Sequence, residues 1–130
     1  MKVSFPGGMQ VNVSVGKHNV LTDQLEANGG EDSAPAPFTL FLSSIAACAG
    51  YYVLSFCSRR GISSEGISLS LDTEYDKENR RISRILVGVS LPEDFPPEYR
   101  NAVLKSVESC TVKKCIQDPP EFRIYSIESK

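Results

Sequence analysis

The stretch PFTLFLSSIAACAGYYVLSFC, residues 37–57, decides the fold because it carries no charged side chain over 21 positions. Pro37 suits the first turn of a helix, and Arg59, Arg60 and Gly61 supply cations and a terminator at its end. About 20 apolar residues are enough to span a bilayer. Thr39, Gly50, three serines and two tyrosines dilute this run. The stretch therefore predicts a core helix rather than a membrane span.

A helix that is apolar on all sides must be covered on all sides. A chain of 130 residues has few other elements with which to surround it. An intimate homodimer meets this requirement, since a second copy covers the faces that one chain leaves open. We therefore expect a homodimer.

Length and composition indicate one globular domain over residues 1–130. Hydrophobic residues make up 41% of the chain and the net charge is −2, which excludes a disordered chain. Fourteen Lys and Arg against sixteen Asp and Glu leave no basic surplus, so nucleic acid is not an expected partner. Four Cys are too few for a secreted disulfide scaffold, and MKVSFPGGMQVNVSV lacks the apolar run of a signal peptide. A reducing cytoplasm is the expected location.

Strand patterns flank the helix on both sides. Val11, Val13 and Val15 alternate within residues 3–24 and predict a hairpin of short strands. Residues 25–37 are rich in Gly, Pro, Asp and Asn and predict a loop. Alternating apolar residues between 62 and 91, separated by the charged turn DKENRR, predict a second hairpin.

A second helix and a last strand complete the pattern. Asp94, Pro96 and Pro97 open the helix, and its apolar stripe has spacings of three and four, with Val103, Leu104, Val107 and Cys110 as members. Asp118, Pro119 and Pro120 end it, and Phe122 to Ile127 predict a closing strand. The order of elements, without strict strand-helix alternation, predicts an α+β fold with an antiparallel sheet.

Two cysteines are the candidates for chemistry. Cys48 shares one face of the first helix with Phe41, Ile45 and Tyr52, near the middle of the expected buried stripe, and Cys110 lies on the inward face of the second helix. One interpretation is that all four Cys are small apolar core residues. The other is a peroxidatic thiol with a resolving partner, which requires a lowered thiol pKa. The sequence leaves both interpretations open.

Metal and hydrolase sites fit less well. Cys110 and Cys115 are spaced C-x4-C, Cys48 and Cys57 are spaced C-x8-C, and His18 is the only histidine. Structural zinc sites usually show tighter pairs of ligands. Motifs for phosphate-binding loops, dinucleotide binding and a nucleophile elbow are missing from the sequence.

The stretch GGEDSAPAPFTLFLSSIAACAG, residues 29–50, resembles the loop-Pro-helix-Cys signature of the OsmC/Ohr family of thiol-dependent peroxidases. CTVKKC, which begins at Cys110, resembles the second motif of that family. The resemblance implies antiparallel sheets wrapped around long central helices in an intertwined homodimer. It also implies that neither a metal nor an organic cofactor takes part.

Carried over by motif, the resemblance implies that Cys48 attacks the peroxide and that Cys110 resolves the product as a disulfide. The apolar pocket of the family favours organic hydroperoxides, and a dithiol reductant restores the thiols. We interpret Cys57 and Cys115 as structural, with Cys115 as a competing resolving thiol because it lies five residues from Cys110.

The sequence departs from the family pattern at the activating pair. Met9 follows Gly7-Gly8 where the family has Arg, and Phe38 follows Pro37 where it has Glu. We expect Met9 and Phe38 to pack together as substrate-binding walls of the pocket. An alternative function follows: a non-catalytic dimer that binds a small apolar ligand, or a redox sensor.

Overall fold

The protein is described by a computed structural model that covers residues 1–127. Its internal contacts divide the chain into two compact units, residues 1–44 and residues from 45 onward. The prediction of a single domain over 1–130 stays a prediction. The predicted mixture of helices and antiparallel sheets is confirmed.

The first unit is built on a three-stranded antiparallel sheet. Its strands are β1 (Lys2–Ser4), β2 (Val11–Val15) and β3 (His18–Thr22), with β2 in the middle. Val13 lies opposite Val3 on one side and Val20 on the other. The predicted hairpin therefore forms and gains β1 as a third strand.

The predicted loop after β3 is held in shape by the buried carboxylate of Asp23. Its oxygens accept hydrogen bonds from Ser33 Oγ at 2.6 Å and from the backbone N–H groups of Gln24, Ser33 and Glu31 at 2.8, 3.1 and 3.2 Å. These bonds, chiefly those from Ser33, lower the pKa of Asp23 from 3.8 to about 2. A short 3-10 turn at Glu26–Asn28 lies within this loop.

Helix α1 (Pro37–Ser58) confirms the predicted helix, with an end one residue later than expected. Its buried residues follow helical spacing along one face: Ile45, Ala49, Val53, Phe56 and Cys57. Tyr51 and Leu54 are more than half exposed in the single chain. The helix is long and apolar enough to cross a membrane. Core helices of soluble proteins have the same length and composition, so this property alone does not indicate a membrane span.

The second unit packs the rest of α1 against a hairpin and short helices. The hairpin pairs β4 (Ser68–Asp76) with β5 (Arg81–Ser90) and has a bulge between Glu74 and Tyr75. A cluster of buried side chains forms its core: Val53, Phe56, Cys57, Phe95 and Val103. Leu69 and Val89 from the hairpin cover this cluster.

The prediction of one continuous second helix is wrong. A 3-10 turn at Pro97–Tyr99 leads into α2 (Arg100–Val107), and a separate helix α3 (Thr111–Gln117) follows. Cys110 lies at the break between the two helices, so it does not extend the apolar stripe of α2. The spacing of the apolar residues did not indicate the break, because the pattern of residues three and four positions apart continues through it.

The predicted closing strand is also wrong. Residues 121–127 are exposed and form no strand, and Ile124 is 98% exposed. A strand needs a neighbour that satisfies its backbone N–H and C=O groups. Within residues 1–127 no strand pairs with this segment, although its apolar pattern is typical of a strand.

Candidate functional site

Cys48 lies at the margin of the buried face of α1. It precedes buried Ala49 and is itself only partly buried. The prediction that it lies in the middle of a buried stripe is wrong. The buried face runs through Ile45, Ala49 and Val53, whereas Phe41, from the predicted stripe, is exposed. A thiol at the margin of the core is more accessible to a small reactant than one at its centre.

Cys110 is almost fully buried, at 1% exposure. It stands immediately before α3 with non-helical backbone angles, φ −51° and ψ 117°, and its sulfur accepts a hydrogen bond from the backbone N–H of Lys113 at 3.5 Å. This is the position and bonding of a helix N-cap. The break between α2 and α3 therefore fixes the place of the Cys110 thiol.

The thiols of Cys48 and Cys110 are close enough for each to influence the pKa of the other. Burial opposes the Cys48 thiolate, but hydrogen bonds from the Cys110 thiol and from the N–H groups of Val112 and Thr111 outweigh it. The pKa of Cys48 is therefore lowered. Burial, followed by the hydrogen bond to Cys48, raises the pKa of Cys110. In this pair the thiolate form is therefore favoured at Cys48 and the protonated thiol is favoured at Cys110.

Donors without a formal charge stabilise the Cys48 thiolate. Sequence analysis pointed to the two cysteines but missed the backbone N–H groups of Thr111 and Val112. The signal for them is the helix start after Cys110, where N–H groups lack partners within the helix. The ammonium group of Lys113, in the first turn of α3, forms an ion pair with Glu108 at 3.4 Å.

Polar bonds hold this part of α1 against the short helices. The hydroxyl groups of Tyr52 and Thr111 lie 3.3 Å apart, and Ser106 Oγ lies 3.4 Å from the Tyr52 carbonyl oxygen. Tyr52 follows Cys48 by one helical turn, and Thr111 follows Cys110 directly. These contacts limit the movement of one thiol relative to the other.

The other two cysteines differ from each other. Cys57 belongs to the core cluster, and burial raises its pKa, as expected for a structural thiol. Cys115 is exposed on α3 and does not belong to the core, and its interpretation as structural stays a prediction. All four cysteines are present as free thiols.

Met9 and Phe38, the predicted pocket walls, both belong to the first unit. Met9 is half exposed and lines a cavity of about 240 Å³, together with Gly7, Gly8 and Asp23. Phe38 is exposed and stacks on Phe41, with ring centroids 5.5 Å apart. Their mutual contact and their role toward a substrate stay predictions.

Metal ligation has no candidate cluster in the part of the chain that the structure describes. Residues 1–127 contain no group of three or more His, Cys, Asp or Glu side chains that is placed to hold an ion. His18 is exposed at the start of β3.

A protein-family model described as OsmC-like protein matches residues 30–124. The matched region includes α1, the hairpin, and both Cys48 and Cys110. The chain belongs to the OsmC-like protein family. Among curated proteins, no relative matches the sequence.

Solved structures share the OsmC-like fold across most of the chain. One is a Psychrobacter arcticus protein named for osmotic stress induction and a detoxification response, with 18% identity and a TM-score of 0.72, covering 87% of this chain and 84% of its own. An organic hydroperoxide resistance protein OsmC from Legionella pneumophila has 22% identity, coverage of 89% and 86%, and a TM-score of 0.53. OhrB of Bacillus subtilis, an organic hydroperoxide resistance protein, has 20% identity, coverage of 91% and 90%, and a TM-score of 0.52.

Proposed function

We propose that this OsmC-like protein acts in the redox stress response as a thiol-dependent peroxidase that reduces organic hydroperoxides. The observation that carries the proposal is the adjacent pair of Cys48 and Cys110, in which the pKa of Cys48 is lowered. The names of the Legionella and Bacillus structures, both organic hydroperoxide resistance proteins, support the same chemistry. Its proposed location is the cytoplasm.

The reaction uses only these two thiols and a reductant. The Cys48 thiolate attacks the terminal oxygen of the hydroperoxide, an S–O bond forms, and the O–O bond breaks. The alcohol leaves after taking up a proton, and Cys48 remains as a sulfenic acid. The sulfur of Cys110 then displaces water from Cys48 and forms a disulfide, which an external dithiol reduces by thiol-disulfide exchange.

A homodimer is part of the proposal. Tyr51 and Leu54 on α1 are 61% and 54% exposed, and Phe122 and Ile124 in the C-terminal segment are more exposed still. Large apolar surfaces of this kind are typical of protein interfaces. They support the prediction that a second copy covers α1.

The test is a mass measurement on the fully reduced protein after brief exposure to one equivalent of cumene hydroperoxide or of hydrogen peroxide. We expect a disulfide between Cys48 and Cys110, identified by peptide mapping, that forms faster with the organic peroxide. Cys48→Ser should abolish peroxide consumption. Cys110→Ser should consume peroxide once and leave a trappable sulfenic acid on Cys48.

Cys115→Ser is the matched control, because it removes an exposed thiol from the same short helix segment without touching the pair. The Cys115→Ser protein should reduce hydroperoxide at the wild-type rate. Free Cys48 and Cys110 thiols in a folded protein after peroxide treatment would contradict the peroxidase. In that event, the exposed apolar side chains of Met9 and Phe38 favour the alternative function, a dimer that binds a small apolar ligand without catalysis.

A further inference from the structure

Cys110 links the oxidation state of the thiol pair to the stability of α3. Its sulfur accepts the backbone N–H of Lys113 at the start of that helix. The N–H groups of Thr111 and Val112 favour the Cys48 thiolate. The two sulfurs thus serve first-turn N–H groups that have no partner within the helix. We propose that a disulfide between Cys48 and Cys110 loosens α3 and opens the Cys110 sulfur to the external dithiol, an inference that rests on the proposed function.

The disulfide takes away what these N–H groups bind in the reduced protein. Cys48 loses its negative charge and becomes a neutral disulfide sulfur, which is a weak hydrogen-bond acceptor. Cys110 gains a covalent bond to Cys48, and the geometry of a disulfide restricts the position of its sulfur. Its contact with the N–H of Lys113, already 3.5 Å long, is therefore weakened. The loss of cap bonds destabilises a helix at its start.

The helix α3 depends strongly on its cap. It has seven residues, whereas isolated helices shorter than roughly 12–15 residues are marginal in water. Among the residues that the structure describes, no side chain of α3 is buried, whereas α2 anchors Val103 in the core at 0% exposure. We therefore expect the disulfide to loosen α3 and to leave α2 in place.

The reductant needs access to the Cys110 sulfur. In thiol-disulfide exchange, attack on one sulfur expels the other, and the sulfur whose thiol has the lower pKa leaves faster. The pKa of Cys48 is lowered and that of Cys110 is raised, so attack on Cys110 with Cys48 as the leaving group is the favoured direction. Cys110 is 1% exposed, and any cover by a second copy adds to this burial. Opening of α3 supplies the access that the favoured exchange requires.

The exchange consumes one dithiol for each disulfide. A thiolate of the reductant forms an S–S bond with Cys110, the bond between Cys110 and Cys48 breaks, and Cys48 leaves as a thiolate. The second thiol of the reductant loses its proton and attacks the first reductant sulfur, and Cys110 leaves and takes up a proton. The reductant ends as a disulfide, both cysteines are reduced, and α3 regains its cap.

Hydrogen exchange followed by mass spectrometry tests the loosening, in a Cys115→Ser background that lacks the exposed thiol of α3. Diamide makes the disulfide without peroxide by taking two electrons and two protons from the pair, and peptide mapping confirms the product. We expect the amides of residues 111–117 to exchange about tenfold faster in the oxidised protein, and those of residues 100–107 to stay unchanged. Cys48→Ser, treated with diamide in the same background, is the control and should show no change in residues 111–117.

Reduction of the disulfide by dithiothreitol is the second measurement. Lys114 is exposed in the interior of α3, and glycine there destabilises the helix. The disulfide of Lys114→Gly should be reduced about fivefold faster than that of Lys114→Ala, because opening of α3 becomes more frequent. Lys114→Ala is the matched variant, since it removes the same charge and keeps a helix-forming residue.

The outcomes separate this inference from the peroxidase. Unchanged exchange in residues 111–117 of a protein whose disulfide is confirmed would overturn the inference and leave the peroxidase in place. Equal reduction rates for the two Lys114 variants, or no disulfide with diamide, would also overturn it. A disulfide that forms with diamide but not with peroxide would contradict the peroxidase alone, and the exchange of residues 111–117 would then decide the inference.

Discussion

At the scale of single residues, Cys48 is distinguished from Cys57 and Cys110 by a pKa that is lowered rather than raised. Met9 stands where the family resemblance implies an arginine, yet the pKa of Cys48 is lowered. The donors are the Cys110 thiol and two backbone N–H groups, none of which carries a formal charge. Partial charges suffice because they are fixed by the start of α3 and point at one sulfur.

Replacing Cys110 by Ala should raise the pKa of Cys48, because the thiolate loses its side-chain donor. The pH profile of Cys48 alkylation by iodoacetamide, followed by peptide mass, measures this change. We expect the profile to move to higher pH and the neutral-pH rate to fall severalfold. The work is best done in a Cys115→Ser background.

Cys110→Ser is the control for that experiment, since a hydroxyl keeps a donor at the same place. Its profile should stay closer to the wild type than that of the Ala variant. An unchanged profile in Cys110→Ala would show that the N–H groups of Val112 and Thr111 alone stabilise the thiolate.

Asp23 gives a pH-dependent prediction. Its folded pKa, about 2, lies below the ordinary value of 3.8, so its ionised form stabilises the fold above pH 3.8. This contribution is lost as the pH falls toward 2. Asp23→Asn should lower Tm by several degrees at neutral pH, and the difference from wild type should shrink in acid.

Thermal unfolding followed by circular dichroism between neutral pH and pH 2 checks this expectation. Asp72→Asn, on the exposed face of β4, is the matched control and should leave Tm nearly unchanged. A Tm difference for Asp23→Asn that stays constant through the acid range would contradict an ionised carboxylate at the centre of the loop.

At the scale of elements, the break between α2 and α3 matters most for the site. A continuous helix would place Cys110 along the stripe of α2 and would pair the N–H groups of the third helix internally. The break instead makes Cys110 an N-cap and leaves N–H groups free to face Cys48.

Two glycines provide a contrast between a loop and a helix. A side chain at Gly30 would overlap the backbone of Gln24, whereas one at Gly50 in α1 meets open space in the single chain. Gly30→Ala should cost on the order of 1–3 kcal/mol of unfolding free energy. Gly50→Ala should increase the free energy of unfolding by roughly 0.5–1 kcal/mol, because Ala has the higher helix propensity.

Urea unfolding curves of the two variants and the wild type measure both values. A destabilised Gly50→Ala protein would indicate that another copy packs closely against α1 at this position. A neutral Gly30→Ala protein would mean that the loop after β3 rearranges at little cost.

At the scale of the whole molecule, the apolar surface left by one chain is the main feature. The exposed side of α1 and the apolar segment 121–127 both lack partners within residues 1–127. Their exposure in water is unfavourable by about 25 cal/mol for each Å² of apolar surface. A second copy that covers them removes this cost.

Light scattering after size-exclusion chromatography should therefore give twice the chain mass of 14.3 kDa. Leu54→Lys places a charge on the exposed side of α1 and should shift the protein toward monomer. Tyr75→Lys, on a similarly exposed residue near the hairpin bulge, should leave the dimer intact. A wild-type monomer in solution would contradict the proposed assembly.

The sequence by itself determined the fold class, the first helix and the two hairpins. Charge-free residues 37–57, alternating valines and paired prolines specify local structure, because each acts within a few positions of itself. The sequence also proposed Cys48 and Cys110 as the reactive pair, through motifs. It did not reveal the break at Cys110 or the unpaired segment 121–127. Only the tertiary structure decided these, together with the lowered pKa of Cys48, because helix packing, strand pairing and thiolate stabilisation depend on groups distant in sequence.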